Sequence, residues 1–300
     1  MTEEKKKAAF VAIIGRPSVG KSTLLNLLCG EKVAIVSPVP QTTRNTIRGI
    51  INRPGGQLIF VDTPGRHNSE KKMNKKLMDA SDRAMNESEL VLYVLDASRA
   101  PGPEEEAIAA TLAPMQDRVV AAVNKTDIPG ADIPAVKAFL QRTLPGIPED
   151  RHLSISAKEK KGAQEVIDAL FKLAPEGDPL YPEDYYTDQD VQFRVEEIIR
   201  EKAINRLREE LPHSLYVDVA DMELKDEGQR LWVRAFIVVE RESQKGMVVG
   251  KEGKLIKAIR LSAQKDLNDI FDWKVDLDLR VKTVKDWRHK DHLLKKLIDR

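Results

Sequence analysis

Hydrophobic and polar positions alternate in blocks along the first half of the chain. Five apolar runs are of strand length: AAFVAII (8–14), GQLIFVD (56–62), ELVLYVLD (89–96), RVVAAVN (118–124) and RHLSIS (151–156). Among them lie stretches whose apolar residues recur at helical spacing: KSTLLNLL (21–28), NKKLMDASDRAM (74–85), PEEEAIAATLAPM (103–115), IPAVKAFLQRTL (133–144) and AQEVIDALFKLA (163–174). Near-continuous apolar runs are what strands look like when both sheet faces are covered. The pattern predicts an α/β doubly wound domain built on a mostly parallel sheet. TIRGIINRPGGQLIFVD (46–62) departs from it, because Pro54-Gly55-Gly56 makes a tight turn and predicts one antiparallel hairpin.

The second half has a different texture. Residues 174–182, APEGDPLYP, and the acidic, aromatic EDYYTDQD that follows carry three prolines and no apolar period, which marks a linker. The division expected is a first domain over 1–178, a linker over 179–190 and a second domain over 191–300. Within the second, VQFRVEEIIREKAINRLREEL (191–211) reads as a long amphipathic helix closed by Leu211-Pro212. SLYVDVADMEL (214–224) and RLWVRAFIVVER (230–241) read as strands joined by a turn at Lys225-Asp226-Glu227-Gly228. A loop and helix over 248–271 and a strand over 273–284 complete the order helix, strand, strand, helix, helix, strand, a smaller α+β domain.

Charge is uneven along the chain. The 300 residues carry a net +1, but residues 181–240 hold 8 basic against 15 acidic side chains and residues 241–300 hold 16 against 10. A near-neutral total therefore hides a basic C-terminal fifth, an asymmetry that points to an interaction surface. The single cysteine, Cys29, excludes an intrachain disulfide framework and fits a reducing compartment. No run of 18 apolar residues is present, so no membrane span is expected. The start, MTEEKKKAAFVAIIG, does not read as a signal peptide, because its apolar run flows into a glycine-rich loop that needs it as a strand. A cytoplasmic protein is expected.

The chemistry begins at Gly15-Arg16-Pro17-Ser18-Val19-Gly20-Lys21-Ser22, a G-x-x-x-x-G-K-[ST] loop between a strand and a helix. Its glycines let backbone N–H groups turn inward around phosphate oxygens, and the helix N-terminus adds partial positive charge. Lys21 is expected to reach the β- and γ-phosphates and the Ser22 hydroxyl to bind Mg²⁺. Gly15, Ser18, Val19, Gly20 and Thr23 complete the phosphate-loop candidates. LIFVDTPG (58–65) then ends a strand in Asp62, placed to hold Mg²⁺ through a water, and Gly65, whose N–H can face the γ-phosphate. Asn124-Lys125-Thr126-Asp127 follows another strand. A carboxylate at Asp127 accepts both adjacent donors of guanine, whereas adenine presents an acceptor there and is repelled. The Lys125 stem can lie along the base. Ser156-Ala157-Lys158 follows the last strand, with a small residue whose backbone N–H can approach the guanine O6.

The order GRPSVGKS, PQTTR, DTPG, NKTD, SAK resembles the translation-factor-related GTPases. The resemblance implies GTP and GDP as ligands, Mg²⁺ as cofactor and Lys21, Thr43 and Gly65 as the residues of hydrolysis. It also implies a first-switch threonine closing on Mg²⁺ and the γ-phosphate. Thr43, beside Arg44, is the favoured match, with Thr42 the alternative. Two positions depart from the pattern. Ser18 stands where close relatives carry the Asn that helps hold K⁺, so only weak K⁺ dependence is expected. Arg66 stands where Ras-like enzymes place a water-orienting Gln, and reads either as an internal arginine finger or as a solvent-exposed switch residue. Slow basal turnover is expected in either case.

GMVVGKEGKLIKAIR (246–260) resembles the core of a KH RNA-binding domain, with the extra helix and strand placed first, the type II-like order. In that fold a G-x-x-G loop lets a single-stranded backbone pass close by, and the groove reads about four nucleotides. Gly250, Lys251, Glu252 and Gly253, with Lys245, Lys254 and Lys257, are the candidate RNA contacts. Val248, Val249, Leu255, Ile256 and Ile259 are expected in the core and groove floor. A five-motif GTPase joined to a KH domain resembles a ribosome-assembly GTPase family along essentially the whole chain. That resemblance implies binding of the 3′ end of small-subunit ribosomal RNA, help in maturing the small ribosomal subunit, and a peripheral association at the inner face of the cell membrane. The sequence also admits a P-loop metabolic kinase, against which NKTD and SAK argue, and a GTP-regulated RNA-binding module acting on other RNA with hydrolysis incidental.

Overall fold

The computed structural model describes residues 5–39, 45–63 and 81–290, with residues 293 and 297. It divides into two compact units. One comprises residues 1–34 and 43–188 and the other residues 35–42 and 189–299, with residue 300 grouped with the first.

The first unit is built on a six-stranded sheet in the order β2-β3-β1-β4-β5-β6. Its strands are β1 (Lys7–Ile14), β2 (Ile47–Arg53), β3 (Gly56–Asp62), β4 (Leu90–Asp96), β5 (Val119–Asn124) and β6 (His152–Ser154). All neighbours run parallel except β2 and β3, the hairpin that the Pro-Gly-Gly turn predicts. Gly56 has φ 136°, and a Cβ there would lie 1.9 Å from the Lys7 carbonyl, so only glycine lets the hairpin meet β1. The helices are α1 (Lys21–Cys29), α2 (Pro103–Leu112), α3 (Ile133–Thr143) and α4 (Ala163–Leu173). Ile108, Leu112, Phe139 and Leu140 bury one sheet face with Tyr93, Leu95 and Val123. Helices α1 and α4 pack together on the strands from the other side, the doubly wound arrangement. β3, β4 and β5 are buried along their whole length, which explains their unbroken apolar runs.

Boundaries differ from the sequence reading where proline or asparagine intervenes. α2 ends at Leu112 and the chain tightens into a 3₁₀ helix over Ala113–Arg118, because Pro114 has no N–H for an α-helical bond. Of NKKLMDASDRAM, residues 81–85 lie in a helical stretch that runs to residue 87, and 74–80 lie outside the described residues. The polar stretch after α4 runs along the β2–β3 hairpin. Ile50 donates its amide to Tyr186, Thr187 its hydroxyl to Arg48, and Gln57 its amide nitrogen to Tyr181.

The second unit has a three-stranded sheet in the order β7-β8-β9, with β7 (Tyr216–Lys225) antiparallel to β8 (Arg230–Val239) and β9 (Lys274–Thr283) parallel to β8. Helices α5 (Val191–Ile204), α6 (Glu242–Val249) and α7 (Lys254–Ile270) pack on it. Alternate residues Leu231, Val233, Ala235, Ile237 and Val239 of β8 enter this core with Val195, Ile199, Ile259, Ala263 and Leu267. The β7–β8 turn takes three left-handed residues in a row, Asp226, Glu227 and Gly228. The helix expected over 191–211 stops at Ile204, where Asn205 caps it. The Asn205 amide nitrogen donates to the Val36 carbonyl, and the Val36 amide donates to Glu201, so both backbone groups of Val36 are held by this helix. No helix among the described residues is long and apolar enough to cross a membrane.

Candidate nucleotide and RNA sites

The loop between β1 and α1 shows why its glycines are needed. A Cβ on Gly15 would lie 2.6 Å from the Val94 carbonyl oxygen, and one on Gly20 would lie 2.5 Å from Asn124 Nδ2. Gly20 has φ 101° and Ser18 φ 62°, so two left-handed residues curl the loop. Helix α1 opens with no side-chain cap and no acidic residue in its first turn, so the positive end of its dipole faces the loop. Lys21 is buried, with Nζ donating to the carbonyls of Gly15 at 2.9 Å and Arg16 at 3.1 Å. Burial lowers its pKa, and the nearby Asp62 carboxylate opposes that.

Ser22 Oγ donates to Asp62 Oδ2 at 2.7 Å, bringing together the two described metal candidates. Both are hard oxygens, the donor type magnesium takes. Among the described residues no group of three or more His, Cys, Asp or Glu could hold a metal by itself. Such a pair fits an ion completed by substrate phosphates and water, as magnesium sites in nucleotide enzymes are. Thr63, next after Asp62, is buried and donates its hydroxyl to the Ile13 carbonyl. Thr42, Thr43, Gly65 and Arg66 lie outside the described residues.

Asn124 joins the phosphate loop to the loops expected to hold the base. Its Nδ2 donates to the Val19 carbonyl at 2.8 Å, and its Oδ1 accepts the Ala157 amide at 3.0 Å. The Ala157 N–H is thus already engaged by Asn124. Thr126 Oγ1 donates to the Ile155 carbonyl at 2.9 Å, and Ser156 Oγ donates to Asp127 Oδ1 at 2.6 Å. That hydrogen bond is the main reason the Asp127 carboxyl lies below the usual range, with Lys158 and Lys125 adding to it. The motifs NKTD and SAK therefore fold as one interlocked pair behind the loop that carries Lys21. Sequence reasoning missed Arg16, Asp96 and Glu105, which form a buried ion cluster beside this site. The one available signal was that ELVLYVLD, like LIFVD, ends its apolar run in an aspartate.

In the second unit, Gly250 and Gly253 both have φ 72°, and Glu252 between them has φ 54°. They form a turn between α6 and α7. A Cβ on Gly250 would lie 2.6 Å from Leu255 Cβ, whereas one on Gly253 meets nothing within 4 Å. Gly250 thus serves packing, and Gly253 leaves open space above the loop. Lys251, Lys254 and Lys257 are exposed and Lys245 is half-buried. Glu252 pairs with Lys254 at 2.9 Å, and Lys245 with Glu242 at 3.6 Å. Val248 and Ile259 are fully buried, and Leu255 and Ile256 pack against the core partly exposed. Helix α7 opens at Gly253 without a side-chain cap or an acid in its first turn.

Comparison with known proteins covers both units. A family described as 50S ribosome-binding GTPase matches residues 10–125, and the KH domain family matches residues 210–288. GTPase Era of Treponema denticola is 52% identical over 97% of this chain and 99% of its own length. GTPase Era of Borreliella burgdorferi is 45% identical over 98% of this chain and 100% of its own. Among solved structures, an Aquifex aeolicus Era variant bound to GDP and aluminium tetrafluoride superposes with a TM-score of 0.91 at 34% identity, covering 97% of this chain and 98% of that one. An Era structure in complex with MgGDPNP and nucleotides 1506–1542 of 16S ribosomal RNA superposes with the same TM-score, identity and coverage. At 45–52% identity along almost the whole length of both this chain and these relatives, the chain belongs to the GTPase Era family.

Proposed function

We propose that this GTPase is a switch that binds the single-stranded 3′ end of small-subunit ribosomal RNA and assists maturation of the small ribosomal subunit. The observation that carries this reading is the G-x-x-G turn with open space above Gly253 and exposed lysines around it. Similarity over 97% of the chain to an Era structure holding 16S ribosomal RNA nucleotides supports it. Lys251, Lys254, Lys257 and Lys245 would meet phosphates, and Gly250, Glu252 and Gly253 would shape the turn the strand passes.

In the first unit, Gly15, Ser18, Val19, Gly20, Ser22 and Thr23 would cradle the nucleotide phosphates, with Lys21 giving up its two loop carbonyls to neutralise the β- and γ-phosphates. Asp127 would accept the two guanine donors, Lys125 would flank the base, and Asn124, Ser156, Ala157 and Lys158 would hold that pocket. Ser22, Asp62 and Thr43 would hold Mg²⁺, whose charge helps neutralise the phosphates. Thr43 and Gly65 would close on the γ-phosphate and release after hydrolysis. The switch motif PQTTR at 40–44 would respond to the γ-phosphate and pass nucleotide state on to RNA binding. The working division is residues 1–178, a linker over 179–190 and an RNA-binding domain over 191–300. The protein would act in the cytoplasm, with a peripheral association at the inner face of the membrane.

Depletion followed by complementation tests the switch. Cells carrying only the Lys21→Ala protein are expected to accumulate immature small subunits on sucrose gradients. Normal assembly with that variant would instead favour an RNA-binding module for which hydrolysis is incidental.

A further inference from the structure

One buried carboxylate touches both halves of the nucleotide site. Asp96 ends β4 and is 6% exposed. Its Oδ1 accepts the Ser98 amide at 2.9 Å and the Ser98 hydroxyl at 2.5 Å, which fixes the plane of the carboxylate. Its Oδ2 accepts Arg16 Nη2 at 3.1 Å and Lys125 Nζ at 2.8 Å. Arg16 is the second residue of the phosphate loop and is buried. Its guanidinium also pairs with Glu105, which in turn accepts the Gly102 amide at 2.9 Å. Lys125 is the second residue of NKTD and has φ 66°, a conformation a lysine keeps only when its surroundings hold it.

We infer that Asp96 is a positioning residue for the guanine nucleotide. Through one oxygen it locks the Lys125 stem where the face of the base passes and ties that lysine to Arg16 of the phosphate loop. The inference rests on the reading of NKTD as the guanine-selecting loop. Two cations share the oxygen, and their dependence on it differs. Arg16 retains Glu105 if the charge is removed, so the phosphate loop keeps an anchor. Lys125, whose side chain is 28% exposed, is released toward solvent. The loss therefore falls on the base end of the site. It weakens GDP and GTP alike, because both carry the base, and leaves turnover at saturating GTP nearly unchanged.

The test uses the full chain and a fluorescent GDP analogue, with wild type, Asp96→Asn, Lys125→Met and the double variant compared and their melting recorded. Asp96→Asn is expected to weaken binding by about tenfold or more, the usual effect of losing a hydrogen bond to a charged group. Its kcat is expected to stay within about twofold of wild type. The double variant should bind no more weakly than Lys125→Met alone, since Asp96 acts through that lysine. Wild-type affinity in Asp96→Asn, or losses that simply add, would overturn the inference. If Asp96→Asn does not fold, Ser98→Ala, which removes one of the two bonds orienting Oδ1, should show a smaller loss that vanishes in the Lys125→Met background. Persistence of that loss there would overturn the inference equally. A wild-type protein that binds ADP as tightly as GDP would instead remove the guanine reading itself, and this inference with it.

Discussion

Ser18 occupies a left-handed position, φ 62°, at the exposed rim of the phosphate loop. Asparagine takes that conformation far more readily than most residues, because its amide bonds locally. Serine holds the same turn with a shorter side chain and one oxygen, so hydrolysis is expected to respond little to K⁺ in place of Na⁺. Ser18→Asn should gain a K⁺ response, and a large K⁺-specific rate increase in the wild type would contradict this account. Asp127 yields a pH prediction. On the proposed reading its ionised form accepts guanine, and the hydrogen bond from Ser156 holds its pKa below the usual range. Guanine binding should therefore persist as pH falls, until the pH passes through that lowered pKa. Ser156→Ala removes the main cause and shifts the acid limb upward, toward the ordinary aspartate value of about 3.9. GDP titrations of both proteins between about pH 2.5 and 6, with folding monitored alongside, check it, and superimposable acid limbs would count against it. At this scale the loops that bring Lys21, Ser22, Asp62, Asn124 and Asp127 to strand ends were legible, because an apolar run that stops at a polar or glycine residue marks the end of a buried strand. Asp96 was not, because its partners Arg16 and Lys125 are 80 and 29 positions away and only the parallel sheet brings them together.

At the scale of elements, the two glycines of the KH turn separate packing from binding. Gly250→Ala forces a Cβ against Leu255 and imposes a left-handed alanine, together costing about 2–4 kcal/mol. Gly253→Ala has room and should cost about 1 kcal/mol. Denaturant unfolding of the two variants measures the difference, and equal losses would contradict the assigned roles. The strands of the first unit were readable because burial on both faces leaves an apolar run whatever the neighbours are. The C-terminus of the first helix of the second unit was not. Leu207 and Leu211 continue a helical spacing past Asn205, yet the chain turns there, where Asn205 bonds to Val36 from far upstream in the sequence. Such a tertiary contact leaves no periodic trace.

For the whole molecule, the claim is that nucleotide and RNA bind one protein in a coupled way. Coupling is reciprocal: if the GTP form favours RNA, RNA must favour GTP over GDP by the same factor. The two-domain order was legible from texture, since the proline-rich stretch over 174–182 breaks the alternation of strands and helices. The membership of residues 35–39 in the second unit was not, because nothing local distinguishes that segment from the loop around it. The most direct measurement is anisotropy of a labelled single strand from the 3′ end of small-subunit ribosomal RNA, titrated with protein loaded with a non-hydrolysable GTP analogue or with GDP. Tight binding in the GTP-analogue state, weaker binding in the GDP state and loss of both with Gly253→Asp is the predicted result. Equal affinity in the two states would contradict the switch, and no binding in either would contradict the RNA site.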